Sequence, residues 1–146
     1  MQHVKILVVE DNPGDLRLLE EALKNDGVVH ILDCATDGEQ ALKFLDANRE
    51  SPPDLILLDL NLPRKSGHEV LSVIKNDPEL QSIPVVILST SQAETDISRA
   101  YDLYANSYVV KPFDYDDFSK VVRSIKSYWL KTSVRPNGPH LTQSLA

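Results

Sequence analysis

The stretch DLILLDLNLP, residues 54–63, decides the fold of this chain. Its four consecutive apolar residues, 55–58, predict a strand that is buried on both faces, as in a parallel sheet. Asp59 follows that strand directly, and Asn61 and Pro63 come close behind. A carboxylate is costly to bury unless it is paired or bound to a cation. A single Asp here also fits a turn cap, so its role depends on its neighbours.

Short apolar runs alternate with helical patterns along most of the chain. The runs predict strands at 4–10, 28–34, 54–59, 85–89 and 107–110, and helices over 15–25, from Asp37-Gly38, over 67–76, over 92–103 and from about Tyr115. Five βα units in succession predict an α/β fold, a doubly wound five-stranded parallel sheet flanked by helices. The second strand alternates in polarity, which favours a place near the sheet edge.

The bulk properties predict one acidic domain. A chain of 146 residues fits a single domain with a sizeable core. A net charge of -7 argues against direct nucleic-acid binding, which depends on clustered Lys and Arg. Cys34 is the only cysteine, which excludes an intramolecular disulfide and a cysteine zinc site, and we interpret it as a small buried residue.

Further expectations concern targeting segments, location and the bounds of the domain. We see no signal peptide and no window of about 18 apolar residues, so we expect a cytoplasmic protein without a membrane partner. Residues 1–130 are expected to form the domain. The segment 131–146 is polar and broken by Pro136, Gly138 and Pro139, and it is predicted to be a disordered tail.

Polar residues gather where the predicted strands end, and ligands bind at that edge in folds of this kind. They are Glu10, Asp11, Asp59, Ser89, Thr90 and Lys111. Carboxylates this close repel one another unless a cation lies between them, and Mg²⁺ prefers oxygen ligands. Glu10, Asp11 and Asp59 are therefore predicted to hold Mg²⁺ (or Mn²⁺), with the backbone carbonyl of Asn61 as a further ligand.

The same residues predict phosphoryl chemistry. A carboxylate beside Mg²⁺ acts as a nucleophile toward phosphorus. The metal and Lys111 neutralise the oxygens of the transferred group. The hydroxyl of Ser89 is then placed to donate a hydrogen bond to a phosphoryl oxygen on Asp59.

Four segments, VVEDNPGD, LILLDLNLP, PVVILST and YVVKPF, resemble the signature segments of response-regulator receiver domains from two-component signalling. The resemblance covers residues 4 to about 129 in matching order and spacing. It implies the flavodoxin-like receiver fold with strand order 2-1-3-4-5. The implied roles are Asp59 as phosphoacceptor, Glu10 and Asp11 as the acidic Mg²⁺ pair, Asn61 as a carbonyl ligand, Ser89 as the switch hydroxyl, Thr90 as a backbone N–H donor to the phosphoryl group, Lys111 as the phosphoryl-binding lysine and Tyr108 as the switch aromatic.

The resemblance also implies a function. The chain is expected to accept a phosphoryl group from a histidine kinase and to lose it by hydrolysis, without being a turnover enzyme. EDNPGDLRLLEEAL, NLPRKSGHEVL, ILSTSQAETDI and SYWL are similar to segments of the stand-alone receivers that partner cyanobacterial phytochromes, which makes a phytochrome a candidate kinase. Whether the output is a phosphorelay or partner binding stays open.

A switching surface is expected on the fourth helix, fifth strand and fifth helix. The aromatic side chains there are Tyr101, Tyr104, Tyr108, Tyr128 and Trp129. They fit a homodimer face, because interface cores are enriched in Tyr and Trp, and they fit equally well as core.

Two residues depart from the family pattern, and one further feature of the family is expected here. Thr90 stands where the family usually has Ala or Gly, and its side chain is expected to crowd an attacking water. Asn106 stands where a Gly-containing loop is commoner, and Asn tolerates left-handed backbone angles. The Lys111–Pro112 bond is expected to be cis, as is typical of the family. Together with Asn61 and Ser91 beside the site, Thr90 is expected to tune the rate of dephosphorylation.

Two other functions are weighed against the receiver. An Mg²⁺-dependent aspartyl-phosphate hydrolase of the haloacid-dehalogenase type uses the same chemistry. Such enzymes carry a second Asp two residues after the nucleophile, whereas this chain has Asn61, which cannot act as a general acid in the same way. A pseudo-receiver that no longer accepts phosphate is the other alternative, and the complete set of site residues argues against it.

Overall fold

A computed structural model describes residues 4–24 and 31–132 of the chain. Its strands are β1 Lys5–Val9, β2 Ile31–Ala35, β3 Leu55–Leu58, β4 Val85–Ser89 and β5 Ser107–Val110. Its helices are α1 Pro13–Lys24, α2 Gly38–Ala47, α3 Gly67–Lys75, α4 Glu94–Asp102 and α5 Tyr115–Lys126, followed by a π-helical segment, Ser127–Thr132.

The strands form one parallel sheet in the order β2-β1-β3-β4-β5. The predicted strand order and the edge position of β2 are confirmed. Val9 pairs with Leu58, so β1 and β3 end level, and Leu58 pairs with Ile87, so β4 ends two residues further along the same edge. The residues that follow these strands are therefore brought to one edge of the sheet, as the site prediction required.

The core lies on both faces of the sheet. Leu55 and Leu57 of β3 pack with side chains from α1 and α5. Ile56 and Leu58 point the other way, into a layer with α2, α3 and α4. All four side chains are buried, and each contributes about 1.5–3 kcal/mol relative to an exposed position. This anchoring holds Asp59, the next residue but outside the strand, at a defined place.

Helix α1 begins at Pro13, two residues earlier than predicted, so Pro13 and Gly14 lie in its first turn and not in a preceding turn. Proline is well tolerated at the first helical position, where its missing N–H has no helical partner in any case. Asn12 caps the helix, because its Oδ1 accepts a hydrogen bond from the backbone N–H of Asp15 at 2.9 Å.

The expectation that Cys34 is buried is wrong. Cys34 is exposed, because it lies on the edge strand β2 and not in the core. The left-handed backbone angle before β5 belongs to Tyr104 (φ 69°), which follows the end of α4, and not to Asn106. Asn106 instead joins two segments through its side chain, because its Oδ1 accepts from Lys75 Nζ and from Val85 N, both at 2.9 Å.

Some expectations fall on residues outside the described ranges. These are the first three residues of the predicted second strand, 28–30, and the predicted disordered tail apart from the backbone of 131 and 132, which is π-helical. Among the helices of the described part, none is long and apolar enough to cross a membrane.

Candidate functional site

Three carboxylates meet at the carboxyl edge of the sheet. Glu10, Asp11 and Asp59 each offer an oxygen, and these atoms lie within 4.8 Å of one another. Glu10 and Asp59 are buried, whereas Asp11 is exposed. The structure thus brings together the predicted metal residues, and this hard-oxygen set, open to solvent on one side, fits a divalent cation that keeps part of its water.

Backbone contacts orient Asp59. Its Oδ1 accepts a hydrogen bond from the N–H of Leu60 at 2.7 Å and a longer one from Asn61 at 3.4 Å. Its own N–H donates to the carbonyl of Val9 at 3.0 Å. A side chain on Gly67 would place its Cβ 2.2 Å from the carbonyl oxygen of Asp59, so only glycine allows α3 to start this close. The loop between β3 and α3 therefore turns back, so that Gly67 at the start of α3 packs against the backbone of Asp59.

Asn61 contributes its backbone to this arrangement, while its side chain is exposed. The contact described is the one from its N–H to Asp59, and the predicted role of its carbonyl as a metal ligand stays a prediction.

Lys111 is buried and enters the acidic cluster from the end of β5. Its Nζ donates to Glu10 Oε1, to Asp15 Oδ2 at 3.0 Å and to Asp59 Oδ2 at 3.5 Å. The backbone N–H of Lys111 donates to Ser89 O at 2.8 Å, which ties the end of β5 to β4. The Lys111–Pro112 bond is trans and not cis as expected. Trans is the intrinsically favoured isomer, and with it Nζ reaches all three carboxylates.

The electrostatics of the site reflect this crowding. Burial raises the pKa of Glu10, and the charge of Asp59 adds to that effect, while the hydrogen bond from Lys111 opposes it. Burial alone would lower the pKa of Lys111, but the hydrogen bond to Glu10 and the charges of Asp59 and Glu10 outweigh burial and raise it. Lys111 is therefore held as a cation among carboxylates that repel one another.

Ser89 and Thr90 follow each other at the end of β4 but face different surroundings. Ser89 is fully buried, and its Oγ accepts a hydrogen bond from the N–H of Ser91 at 3.2 Å. Thr90 is exposed. The predicted effect of its side chain on an attacking water stays a prediction.

Tyr108 is half-buried and connects β5 to the loop after β4. Its hydroxyl donates to Ser91 O at 2.8 Å, and its N–H donates to the hydroxyl of Tyr101 in α4 at 3.1 Å. Ser91 Oγ in turn donates to Asp96 Oδ2 in the first turn of α4 at 2.6 Å. A continuous chain of hydrogen bonds therefore runs from Ser89 through Ser91 to α4 and β5.

Sequence reasoning missed Asp15, Asp96 and the bond between Tyr101 and Tyr108. Asp15 had no signal in the sequence, because its partner Lys111 is 96 residues away and their contact depends on the path of the lysine side chain. Asp96 and Tyr101 had none either, because their partners, Ser91 in the loop after β4 and the backbone of Tyr108, are brought to them only by the folded chain.

A comparison with protein families identifies the class of molecule. The model of the response regulator receiver domain matches residues 6–123, and the chain belongs to this family. Two-component signalling is thereby established as its setting. The family is generally not one of turnover enzymes.

Individual relatives narrow the class. The chain is 47% identical over 135 residues to the response regulator Rcp1 of Synechocystis sp., covering 90% of this chain and 92% of that protein. Among solved structures, the phosphorylated cyanobacterial phytochrome response regulator RcpA superimposes with a TM-score of 0.89 at 48% identity, covering 93% of this chain and 100% of that one. The Mn²⁺-bound form of Rcp1 gives 0.85 at 44% identity, with 91% and 99% covered. The protein is closely related to the phytochrome response regulators.

Proposed function

We propose that this protein is a response regulator that accepts a phosphoryl group on Asp59 from the phosphohistidine of a histidine kinase. An oxygen of the Asp59 carboxylate attacks phosphorus, the P–N bond to the imidazole breaks, and an acyl phosphate forms. Lys111 stabilises the phosphoryl oxygens, and water later hydrolyses the acyl phosphate. Phosphorylation uses up the free carboxylate of Asp59 and hydrolysis restores it, so the protein acts as a phosphoacceptor and does not turn over a separate substrate.

The observation that carries this proposal is the environment of Asp59. Its carboxylate is 8% exposed, is oriented by backbone N–H groups and lies next to a lysine ammonium. A merely structural Asp would need neither the ammonium nor two further carboxylates within 4.8 Å. A buried cluster of this kind is costly unless function requires it.

Glu10, Asp11 and Asp59, with the carbonyl of Asn61, are proposed to hold Mg²⁺ or Mn²⁺. When bound, the cation offsets the charge of the carboxylates and of the incoming phosphoryl group. One relative, Rcp1, has been solved in an Mn²⁺-bound form, which supports this assignment.

The direct test is Asp59→Asn. We expect this variant to take up no phosphate from a small acyl phosphate donor in the presence of Mg²⁺, because an amide cannot act as the nucleophile. Asp54→Asn, at the opposite end of β3, is the matched control and keeps wild-type labelling. Uptake by Asp59→Asn at the wild-type level would contradict the proposal.

The kinase is proposed to be a phytochrome, and both proteins are proposed to act in the cytoplasm. The similarity to RcpA, described as a cyanobacterial phytochrome response regulator, supports the choice of a phytochrome as the kinase. Transfer from a purified phytochrome kinase, measured against transfer from unrelated histidine kinases, tests this partner.

Phosphorylation is proposed to act through the hydrogen-bond chain around Ser91. When Ser89 turns its hydroxyl toward a phosphoryl oxygen, it gives up the bond from Ser91 N–H. Ser91 O also holds the hydroxyl of Tyr108, so the position of Tyr108 and of α4 changes with it. This is a shift between two populated states of the α4, β5 and α5 surface.

We further propose that this surface forms a homodimer. Four tyrosines on this surface or directly after α5 are exposed, namely Tyr101, Tyr104 (76%), Tyr115 and Tyr128, and Tyr128 makes an edge-to-face contact with Trp129 at 5.2 Å. Exposed aromatic side chains at this density are typical of interfaces and not of free surface.

Sedimentation tests the dimer. We expect the wild-type chain to form dimers at high concentration and the double variant Tyr104→Ser, Tyr128→Ser to sediment as a monomer. Val73→Ser removes an exposed apolar side chain from α3 and serves as the control, with wild-type behaviour. A clean monomer of the wild-type chain, phosphorylated or not, would contradict the dimer.

A further inference from the structure

The ammonium group of Lys111 has three N–H donors, and three carboxylates use them. Glu10 Oε1 accepts one, Asp15 Oδ2 lies 3.0 Å away, and Asp59 Oδ2 lies 3.5 Å away. The contact with Asp59 is thus weaker than the contact with Asp15. Lys111 has to release at least one of these partners before it donates to a phosphoryl oxygen.

Asp15 differs from the other two partners in its position. Glu10 and Asp59 belong to the acidic cluster, so their oxygens would be shared between Lys111 and the divalent cation proposed for the site. Asp15 lies in the first turn of α1, where Asn12 Oδ1 accepts from its N–H. The Asp15 side chain is 33% exposed, compared with 2% for Glu10. Asp15 is also the one of the three partners that is not part of the acidic cluster.

We propose that Asp15 is a positioning residue that holds Lys111 on the α1 side of the site and competes with the phosphoryl oxygens for its ammonium group. This inference rests on the proposed function of Asp59. The carboxylate of Asp15 also repels an incoming anion, which adds to the competition. Loss of its charge frees Lys111 and strengthens the binding of a phosphoryl group.

The test measures binding of beryllium trifluoride, an anion with the shape of a phosphoryl group, to the full chain with Mg²⁺ by calorimetry. We expect Asp15→Asn to bind the anion about two- to fivefold more tightly than wild type, the range for a partly exposed ion pair. Asp15→Glu keeps the charge and stays near the wild-type affinity. Glu21→Gln, an exposed carboxylate on the same helix paired with Arg17, is the matched control and leaves the affinity unchanged.

A double-mutant cycle separates an action through Lys111 from a general effect of charge. In a Lys111→Gln background, titrated to higher anion concentration, we expect Asp15→Asn to give a clearly smaller gain, because only the direct repulsion between Asp15 and the anion is left to remove. An equal gain in both backgrounds overturns the proposal, and so does equal affinity of Asp15→Asn and wild type. Failure of the wild-type chain itself to bind the anion and to accept phosphate overturns the proposed function, and with it the role of Asp15.

Discussion

Lys75 is half-buried and Lys111 is buried, and the partners of the two lysines differ in charge. Lys111 donates to carboxylates, and its pKa is raised. Lys75 Nζ donates to the carbonyls of Gln81 and Ile83 and to Asn106 Oδ1, each at 2.9 Å. These oxygens carry no formal charge, so burial prevails and lowers the pKa of Lys75 to about 8. For these two residues, the charge of the partners decides whether the pKa of the lysine rises or falls.

The lowered pKa of Lys75 predicts a pH dependence of stability. Between about 8 and the ordinary value of 10.5, the folded chain binds fewer protons at this residue than the unfolded chain does. The free energy of unfolding therefore gains a contribution that rises with pH across this window. Urea titrations at pH 7.5 and 10 measure it as the difference between wild type and Lys75→Met, which lacks the titrating group. The same pH dependence in both proteins would contradict the assignment.

Helix α3 and the loop before it act as one element that supports the site. Ser66 and Glu69 form a capping box, in which each side chain bonds to the backbone N–H of the other, and this defines where α3 starts. The next residue, Gly67, donates its N–H to Leu60 O at 2.9 Å. The helix start is consequently fixed against the two residues that follow β3.

Gly67→Ala is expected to disturb this element. The new Cβ would meet the backbone of Asp59 and Leu60 at 2.2–2.6 Å, and neither backbone can move without shifting the acidic cluster. We expect a loss of about 1–3 kcal/mol in the free energy of unfolding and weaker Mg²⁺ binding. Gly14→Ala meets only the flexible side chain of Asn12, at 3.3 Å, and is the control with a small effect. Equal stability and Mg²⁺ affinity in the two variants would argue against a supporting role for Gly67.

The sequence predicts the central strands and the starts of α2, α3 and α5, whereas it misplaces the start of α1, and both outcomes have a physical reason. Leu55–Leu58 and Val85–Ser89 are recognised because a strand buried on both faces must be continuously apolar. The start of α1 depends on a cap by Asn12, and in the sequence this cap is masked by the turn signals of Pro13 and Gly14. Parallel strands bring their carboxyl ends to one edge, so most of the site was predictable. Asp15 was not, because its contact depends on the path of the Lys111 side chain.

On the scale of the whole molecule, repulsion between the carboxylates of the site lowers the stability of the folded domain. Like charges meet at the edge of a sheet whose interior is otherwise apolar. A ligand that binds only the folded state relieves part of this repulsion. The stability of the entire domain is therefore linked to the divalent cation that we propose for the site.

Mg²⁺ is expected to stabilise the whole domain by mass action. At a free concentration of 100 times the dissociation constant, the gain in the free energy of unfolding is about 2.7 kcal/mol. Asp11→Asn removes the exposed carboxylate of the cluster, so it should need far more Mg²⁺ for the same gain while its metal-free stability stays near that of wild type. Thermal unfolding with and without Mg²⁺ measures both. No shift for the wild-type chain at high Mg²⁺ would contradict a metal site.

The bond between Lys111 and Glu10 joins residues that are 101 positions apart. During synthesis, Glu10, Asp11 and Asp59 leave the ribosome well before Lys111, and β5 is the last of the five described strands to appear. A nascent chain thus presents its acidic residues without their basic counterpart. On the proposed mechanism, a receiver that is still being translated cannot yet accept a phosphoryl group from its kinase. The chain becomes able to accept one only when β5 has brought Lys111 to the site, and a chain truncated before β5 does not accept one.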